Sequence, residues 1–144
     1  MLKRLSIIVL VIFLFCGTAT AAETQEINTL SSSSEVELYG VEAQMCKDYS
    51  GSAIPGVRFK LKNIGKDIIE DVEVVIFFKD KDGKAIAEES YHPLRKTFTT
   101  SQKLLKPGYI WQVEKDKFFL APNVPSEWKV GAVEGKIANI IKKK

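Results

Sequence analysis

The sequence predicts an all-β protein folded as an antiparallel β-sandwich. Between positions 56 and 83, two segments alternate apolar and polar residues, the pattern of strands with one buried face. Asp82-Gly83 follows the second segment and is a typical hairpin signal. No stretch carries a sustained apolar period of 3.6 residues. We expect seven to eight short strands, with turns about every 8–15 residues, as in an antiparallel sandwich.

The two alternating segments supply the predicted core. In the first segment Phe59 lies mid-strand, so we expect it to be fully buried between the sheets. Asn63 to Lys66 are expected to form the turn that separates the segments. The residues assigned to the buried faces are Val57, Phe59, Leu61, Val72, Val74, Ile76 and Phe78.

Val75 and Phe77 interrupt this pattern, because they are apolar at outward positions of the second segment. We expect a central strand whose outer face is covered by another part of the chain. The alternative is an exposed apolar strip that contacts a partner.

The residues before the core segments predict an edge strand with a bulge. Val36 and Leu38 share one face, but the apolar positions shift by one residue at Gly40. A polar loop is expected from Cys46 to Ile54, before Pro55 and Gly56 begin the first core strand.

The second half of the chain predicts the remaining strands. Proline cannot donate a hydrogen bond to a sheet, so His92-Pro93 should end the strand that follows the hairpin. Trp128 and Val130 are expected to begin the last strand, and Ile137 and Ile141 to face the core. The other predicted features are a strand from Lys84 to Tyr91, strand propensity at Thr97 to Thr100, burial of Leu104 and Leu105, and strands at Tyr109 to Val113 and Phe118 to Leu120.

Residues 1–22 are predicted to be a signal peptide. Lys3 and Arg4 precede an apolar run from Leu5 to Phe15, and small residues follow at the cleavage positions. We expect cleavage after Ala21 or Ala22, with an uncleaved anchor or a lipoprotein attached at Cys16 as alternatives. Residues 23–34 are expected to form a polar linker and residues 35–144 the sandwich domain.

Charge and cysteine content limit the functional classes. The chain has 21 basic and 18 acidic residues, and removal of Lys3 and Arg4 leaves 19 basic residues. A near-neutral mature chain has no basic footprint for nucleic acid. Cys46 would be the single remaining cysteine. It cannot form an internal disulfide, so we expect a buried thiol, with pairing to another chain as the alternative.

The core segments resemble the FxLYD-type exported domains, which are immunoglobulin-like β-sandwiches of bacterial and archaeal envelopes, mostly without an assigned activity. The resemblance covers about Gly56 to Leu120. The family is named after a Phe-x-Leu-Tyr-Asp motif, and this chain has Ile76-Phe77-Phe78-Lys79-Asp80 at that place. The matching residues are Val57, Phe59, Leu61, Asn63, Gly65, Val72, Val74, Asp80, Asp82, Gly83, Lys84, Leu105, Pro107 and Gly108. The resemblance implies an immunoglobulin-like fold and supplies no catalytic residues.

No constellation of catalytic or metal-binding residues stands out. His92 is the single histidine and is interpreted as a turn residue. Asp80-x-Asp82-Gly83 is similar to the start of a calcium loop, but Tyr91 occupies the twelfth position, where such a loop needs glutamate. We therefore predict no catalytic residues, no metal site and no cofactor.

These observations predict an extracytoplasmic, non-enzymatic module, periplasmic or secreted, that binds or supports another protein of the cell envelope. The alternative is a structural subunit or matrix protein that assembles through an edge strand or its N-terminal tail. We expect no nucleic-acid partner and no membrane span after signal cleavage, and an oligomer is compatible with either reading.

Overall fold

A computed structural model describes residues 31–144, which form two antiparallel sheets packed as a β-sandwich. The predicted all-β antiparallel sandwich of seven to eight strands is confirmed. The predicted signal peptide and positions 23–30 of the predicted linker lie outside the described residues. The strands are β1 (Ser31–Ser32), β2 (Val36–Lys47), β3 (Ala53–Asn63), β4 (Ile69–Lys79), β5 (Ala85–Tyr91), β6 (Ile110–Gln112), β7 (Phe119–Leu120) and β8 (Val133–Lys142).

The first sheet has the order β1-β2-β3-β6, with β7 also paired to β3, and the second has the order β5-β4-β8. The chain passes from one sheet to the other between β3 and β4, between β5 and β6, and between β7 and β8. These crossings place β3 and β4, which carry the two alternating segments, in the middle of opposite sheets. Their apolar faces therefore form the centre of the core.

The core contains every residue that the two-residue alternation assigned to it, and Phe59 is 1% exposed, as predicted. Asn63 lies at the end of β3 and is also fully buried. Its Nδ2 donates to the carbonyls of Asp67 and Leu105, both at 2.8 Å, and its Oδ1 accepts the Gly65 N–H. The buried amide thus fixes the predicted turn between β3 and β4.

The predicted bulge in β2 is confirmed, since the register shifts between Tyr39 and Glu42 and Gly40 has a φ of 60°. The predicted edge position is wrong, because the short strand β1 pairs with β2 on the side away from β3. The predicted loop from Cys46 to Ile54 is wrong. Both strands continue through this region, and Cys46 pairs directly with Ile54. The loop is reduced to residues 48–52, because hydrogen bonds to Asp48 close a short turn.

The hairpin between β4 and β5 is confirmed, with Oδ1 of Asp80 accepting the backbone N–H groups of Asp82 and Lys84. The predicted strand at Thr97 to Thr100 is wrong. The Thr97 hydroxyl instead accepts the backbone N–H of Thr100 at 3.0 Å, which gives a turn.

Burial at positions 104 and 105 is split between the two leucines. Leu105 is 3% exposed and bridges to Ile69, whereas Leu104 is 37% exposed. A single bridging residue presents only one of two neighbouring side chains to the core. The predicted burial of Leu104 is therefore wrong.

The last strand begins later than predicted. Trp128 and Val130 lie in turns before β8. Trp128 is 6% exposed and its indole N–H donates to Ala132, while Val130 is 58% exposed. The register against β4 also shifts, from Asn139 opposite Glu73 to Ile137 opposite Val74.

This shift changes which residues of β8 face the core. Ile137 packs against the core as predicted, and Ile140 does so as well, whereas Ile141 is 42% exposed. The extra residue in β8 moves the inward position from Ile141 to Ile140. The prediction for Ile141 is therefore wrong.

Val75 and Phe77 lie in the central strand of their sheet, as predicted, but both are half-buried rather than fully covered. Val75 lies between Ser90 of β5 and Lys136 of β8. The Lys136 Nζ is 5.2 Å from the centre of the Phe77 ring. The expected cover by another part of the chain is therefore incomplete, because polar side chains on the neighbouring strands cover these residues only in part.

Candidate functional site

The β2–β3 hairpin ends in a tight, polar turn. The Oδ1 atom of Asp48 accepts the backbone N–H groups of Ser50 and Ser52, both at 2.8 Å, and the Ser50 hydroxyl at 2.7 Å. Hydrogen bonds from the Ser50 hydroxyl and from the backbone of residues 50–52 hold the pKa of the Asp48 carboxyl below its usual value. The turn is therefore held by its own hydrogen bonds rather than by packing.

Exposed apolar side chains surround this turn. Tyr49 is fully exposed at its tip, Met45 is 43% exposed on β2 and Leu120 is 38% exposed on β7. They border an open cleft of about 610 Å³ between the hairpin and residues 116–120, which Phe118 also lines. We call Met45, Tyr49, Phe118 and Leu120 the hairpin-end patch.

Cys46 lines the same cleft and is half-buried, so the thiol is less covered than the predicted buried thiol. A Cβ atom at Gly56 would lie 2.5 Å from the Cys46 sulfur and 3.0 Å from the Phe118 Cβ. Glycine at position 56 therefore leaves the space that the thiol occupies. The thiol is only partly covered because β2 extends beyond the core at this point.

His92 lies in the turn after β5, as predicted, and contacts a carboxylate that the sequence analysis did not identify. Its Nδ1 is 3.0 Å from Oδ2 of Asp71, and Arg95 reaches the same oxygen with Nε at 3.0 Å and Nη2 at 2.8 Å. Asp71 is 4% exposed, and its Oδ1 has no hydrogen-bond partner in the described part of the chain. This ion pair, with a buried carboxylate and a half-exposed guanidinium group, ties the turn to β4.

Chemically, this cluster is a carboxylate held by the His92 ring and the Arg95 guanidinium group. Cys46 lines the hairpin-end cleft, whereas His92 lines a different cavity, so the structure does not bring them together. The sequence analysis missed the ion pair of Asp71 with Arg95, because the two residues come into contact only when the loop after β5 folds back against β4. The available signal was an acid at position 71, beside Val72 in a strand expected to be buried.

The hairpin-end patch was also missed. The residues around Asp48 read as a polar loop, and only the pairing of β2 with β3 and of β7 with β3 brings Met45 and Leu120 to one end of the sheet. The carboxylate of Asp80, which is similar in sequence to the start of a calcium loop, accepts the Asp82 N–H within its own hairpin turn.

Within residues 31–144, no group of three or more His, Cys, Asp or Glu side chains is placed to hold a metal ion. The same residues contain no helix with the length and apolar character of a membrane span.

Comparisons with protein-family models, curated proteins and solved structures give no match.

Proposed function

We propose that this chain is an exported, non-enzymatic β-sandwich module that binds another protein of the cell envelope through the hairpin-end patch. The observation that carries the proposal is the exposure of Met45, Tyr49 and Leu120 around one cleft. Contiguous exposed apolar side chains are typical of interaction surfaces. Tyrosine is among the residues that contribute most to protein interfaces.

The rigidity of the hairpin supports the same proposal. β2 and β3 pair continuously from Glu42 to Lys47, and the Asp48 turn fixes the backbone on either side of Tyr49. A side chain presented by an ordered backbone loses less conformational entropy on binding.

Export to an extracytoplasmic location is proposed from the sequence of residues 1–22 and from the resemblance to FxLYD-type envelope domains. A single cysteine between residues 23 and 144 is compatible with that location, since no internal disulfide is needed to complete the core. The non-enzymatic assignment is proposed from the sequence, in which His92 is the single histidine and no constellation of catalytic residues stands out.

Assembly into a filament or matrix through an edge strand is the alternative. β5 is an edge strand of the three-stranded sheet and carries Glu88 and Glu89. Glu89 pairs with the buried Ile76, so this acid occupies an inward-facing register position. Charged residues at such positions discourage the addition of another strand. This observation favours the binding module over assembly through β5.

A photo-crosslinking residue at Tyr49, introduced in the producing cell, tests the proposal. Ile64 is the control position, since it is 46% exposed but follows the opposite end of β3. We expect Tyr49 to give a discrete adduct with a second protein and Ile64 to give none. Equal adducts from both positions, or none from Tyr49, would contradict the proposed surface.

Light scattering after size-exclusion chromatography, over a range of concentrations, separates the two functions. A binding module stays monomeric without its partner, whereas a structural subunit increases in mass with concentration. If Tyr49 crosslinks to another copy of this chain and the mass increases, the assembly function replaces the proposed one. With the crosslinking residue kept at position 49, Met45→Ser changes a neighbouring side chain of the hairpin-end patch that is 43% exposed. It should cost at most about 1 kcal/mol of stability, so a weaker adduct would report on lost contact rather than on unfolding.

A further inference from the structure

A second cavity opens where the turn after β5 and the loop that follows it lie beside β6 and β7. Its volume is about 270 Å³. One wall comes from the turn after β5 and the loop that follows, with His92, Arg95 and Lys103. The opposite wall comes from β6 and β7, with Trp111 and Phe119. It is separate from the cleft at the hairpin end.

Aromatic rings form the apolar part of this cavity. Trp111 pairs with Leu61 and Phe119 with Val57, so both side chains sit at inward positions of their sheet. The two rings are stacked, with centroids 6.2 Å apart and planes inclined by 22°. Phe59 supports both from the core, at 5.7 Å and 5.6 Å. A ligand would meet a rigid, flat apolar surface here.

The indole N–H of Trp111 is buried and has no hydrogen-bond partner among the described residues. The Trp128 indole N–H, by contrast, donates to the Ala132 carbonyl at 3.0 Å. A buried donor without a partner costs about 1–3 kcal/mol, and native proteins contain few of them. Trp111 lines the cavity, so an acceptor on a bound molecule would satisfy this donor once the molecule displaces the atoms that cover the N–H.

The charges around the cavity leave one cation in excess. Arg95 is paired with Asp71, and Lys117 is paired with Glu114. Lys103 also lines the cavity and forms no salt bridge within residues 31–144. The pKa of Glu114 is lowered mainly by the hydrogen bond and charge of Lys117, and to a smaller extent by the charge of Lys103. Counted over its Lys, Arg, Asp and Glu side chains, the site therefore carries a net charge of about +1 and suits a ligand with a single negative charge.

We propose that this cavity binds a small monocarboxylic acid with a planar apolar body. The carboxylate is held by the Lys103 ammonium group and the Trp111 indole N–H, and the apolar body packs against Phe119. The volume equals about nine water molecules at roughly 30 Å³ each, so a ligand the size of benzoate fits within it. This site is independent of the proposed protein-binding surface.

The two tryptophans of the chain provide a reporter and an internal control. In ¹⁵N-labelled protein each indole N–H gives one NMR signal, and Trp111→Phe assigns them. We expect titration with benzoate to move the Trp111 signal with saturation, half-complete at about 1 mM or below, and to leave the Trp128 signal in place. No movement of the Trp111 signal, or equal movement of both signals, would overturn the proposal.

Two probes, each of which lacks one part of benzoate, test the ligand class. Benzyl alcohol lacks the carboxylate and acetate lacks the apolar body, so each should require at least about tenfold higher concentration than benzoate. If benzyl alcohol matches benzoate, the cavity is merely apolar. If acetate matches it, the site binds any small anion. Either result contradicts the proposed monocarboxylic acid with a planar body.

Lys103→Gln tests the cation, with Lys129→Gln as the matched loss of one exposed positive charge outside the cavity. We expect Lys103→Gln to weaken benzoate binding at least about fivefold and Lys129→Gln to leave it unchanged. Calorimetry measures both, and also Trp111→Phe, which keeps an aromatic surface but removes the donor and should weaken binding as well. Equal affinities for the two lysine variants would refute the role of Lys103.

Discussion

Replacing Phe59 with alanine removes the ring at the centre of the aromatic cluster between the sheets. Phe59 is 1% exposed, and its ring lies 6.2 Å from that of Tyr91, 5.7 Å from Trp111 and 5.6 Å from Phe119. Burial of a phenylalanine side chain contributes about 1.5–3 kcal/mol, and the cavity left by its removal adds to the loss. We expect Phe59→Ala to reduce the free energy of unfolding by about 3–5 kcal/mol.

Urea unfolding followed by far-UV circular dichroism measures this loss without relying on Trp111, whose fluorescence the substitution would change. For the expected loss, the unfolding midpoint falls by at least about 1 M. If Phe59→Ala does not fold, Phe59→Leu keeps an apolar side chain and should cost only about 1–2 kcal/mol.

Phe77→Ala is the matched control, since the same side chain is removed from the middle of β4. Phe77 is half-buried on the outer face, so its removal opens no enclosed cavity and should cost about 1 kcal/mol. The reasoning would be refuted if the two alanine variants had equal midpoints, because the difference rests entirely on burial between the sheets.

Three further changes test other parts of the structure. Gly56→Ala should cost about 1–3 kcal/mol in urea unfolding, because its Cβ would lie 2.5 Å from the Cys46 sulfur. Adding Cys46→Ala should restore part of that loss, and strict additivity would argue against the contact. Asn63→Ala should lower the unfolding free energy by about 2–4 kcal/mol, since it removes three hydrogen bonds of a buried side chain. The Leu105 carbonyl and the Gly65 N–H keep backbone partners, so the Asp67 carbonyl is the group most affected. A change below about 0.5 kcal/mol would contradict this. The hydrogen bond from Lys79 holds the pKa of Glu134 below its usual value, so the wild type should lose this stabilisation as the pH falls below about 4.5. In thermal unfolding between about pH 5 and pH 3, Glu134→Gln should be less sensitive to acid than the wild type, and an unchanged slope would count against the pair.

Much of the fold was predictable because the relevant signals are local. A strand places successive side chains on opposite faces, so the alternation around Phe59 identifies the buried faces of β3 and β4 without knowledge of their neighbours. The Asp80 turn and the bulge at Gly40 are also short-range features, set by a side chain that accepts backbone N–H groups and by a left-handed backbone conformation.

Other features were decided by how distant segments pair. Ile140 rather than Ile141 faces the core because β8 slips by one residue against β4, and a one-residue slip exchanges the two faces of a strand. Phe77 is only half-covered because its neighbours on β5 and β8 are polar, which its own sequence context does not reveal.

The candidate sites depend on the tertiary structure more strongly still. Their residues come from segments far apart in the chain: Met45 and Leu120 border one cleft, and Lys103 and Trp111 line the other cavity. The sequence alone determined an antiparallel sandwich and its buried centre, since backbone periodicity is a property of each strand. Only the packing of the two sheets decided which polar and apolar groups remain without partners, because that depends on register and on where each loop returns to the sheet edge.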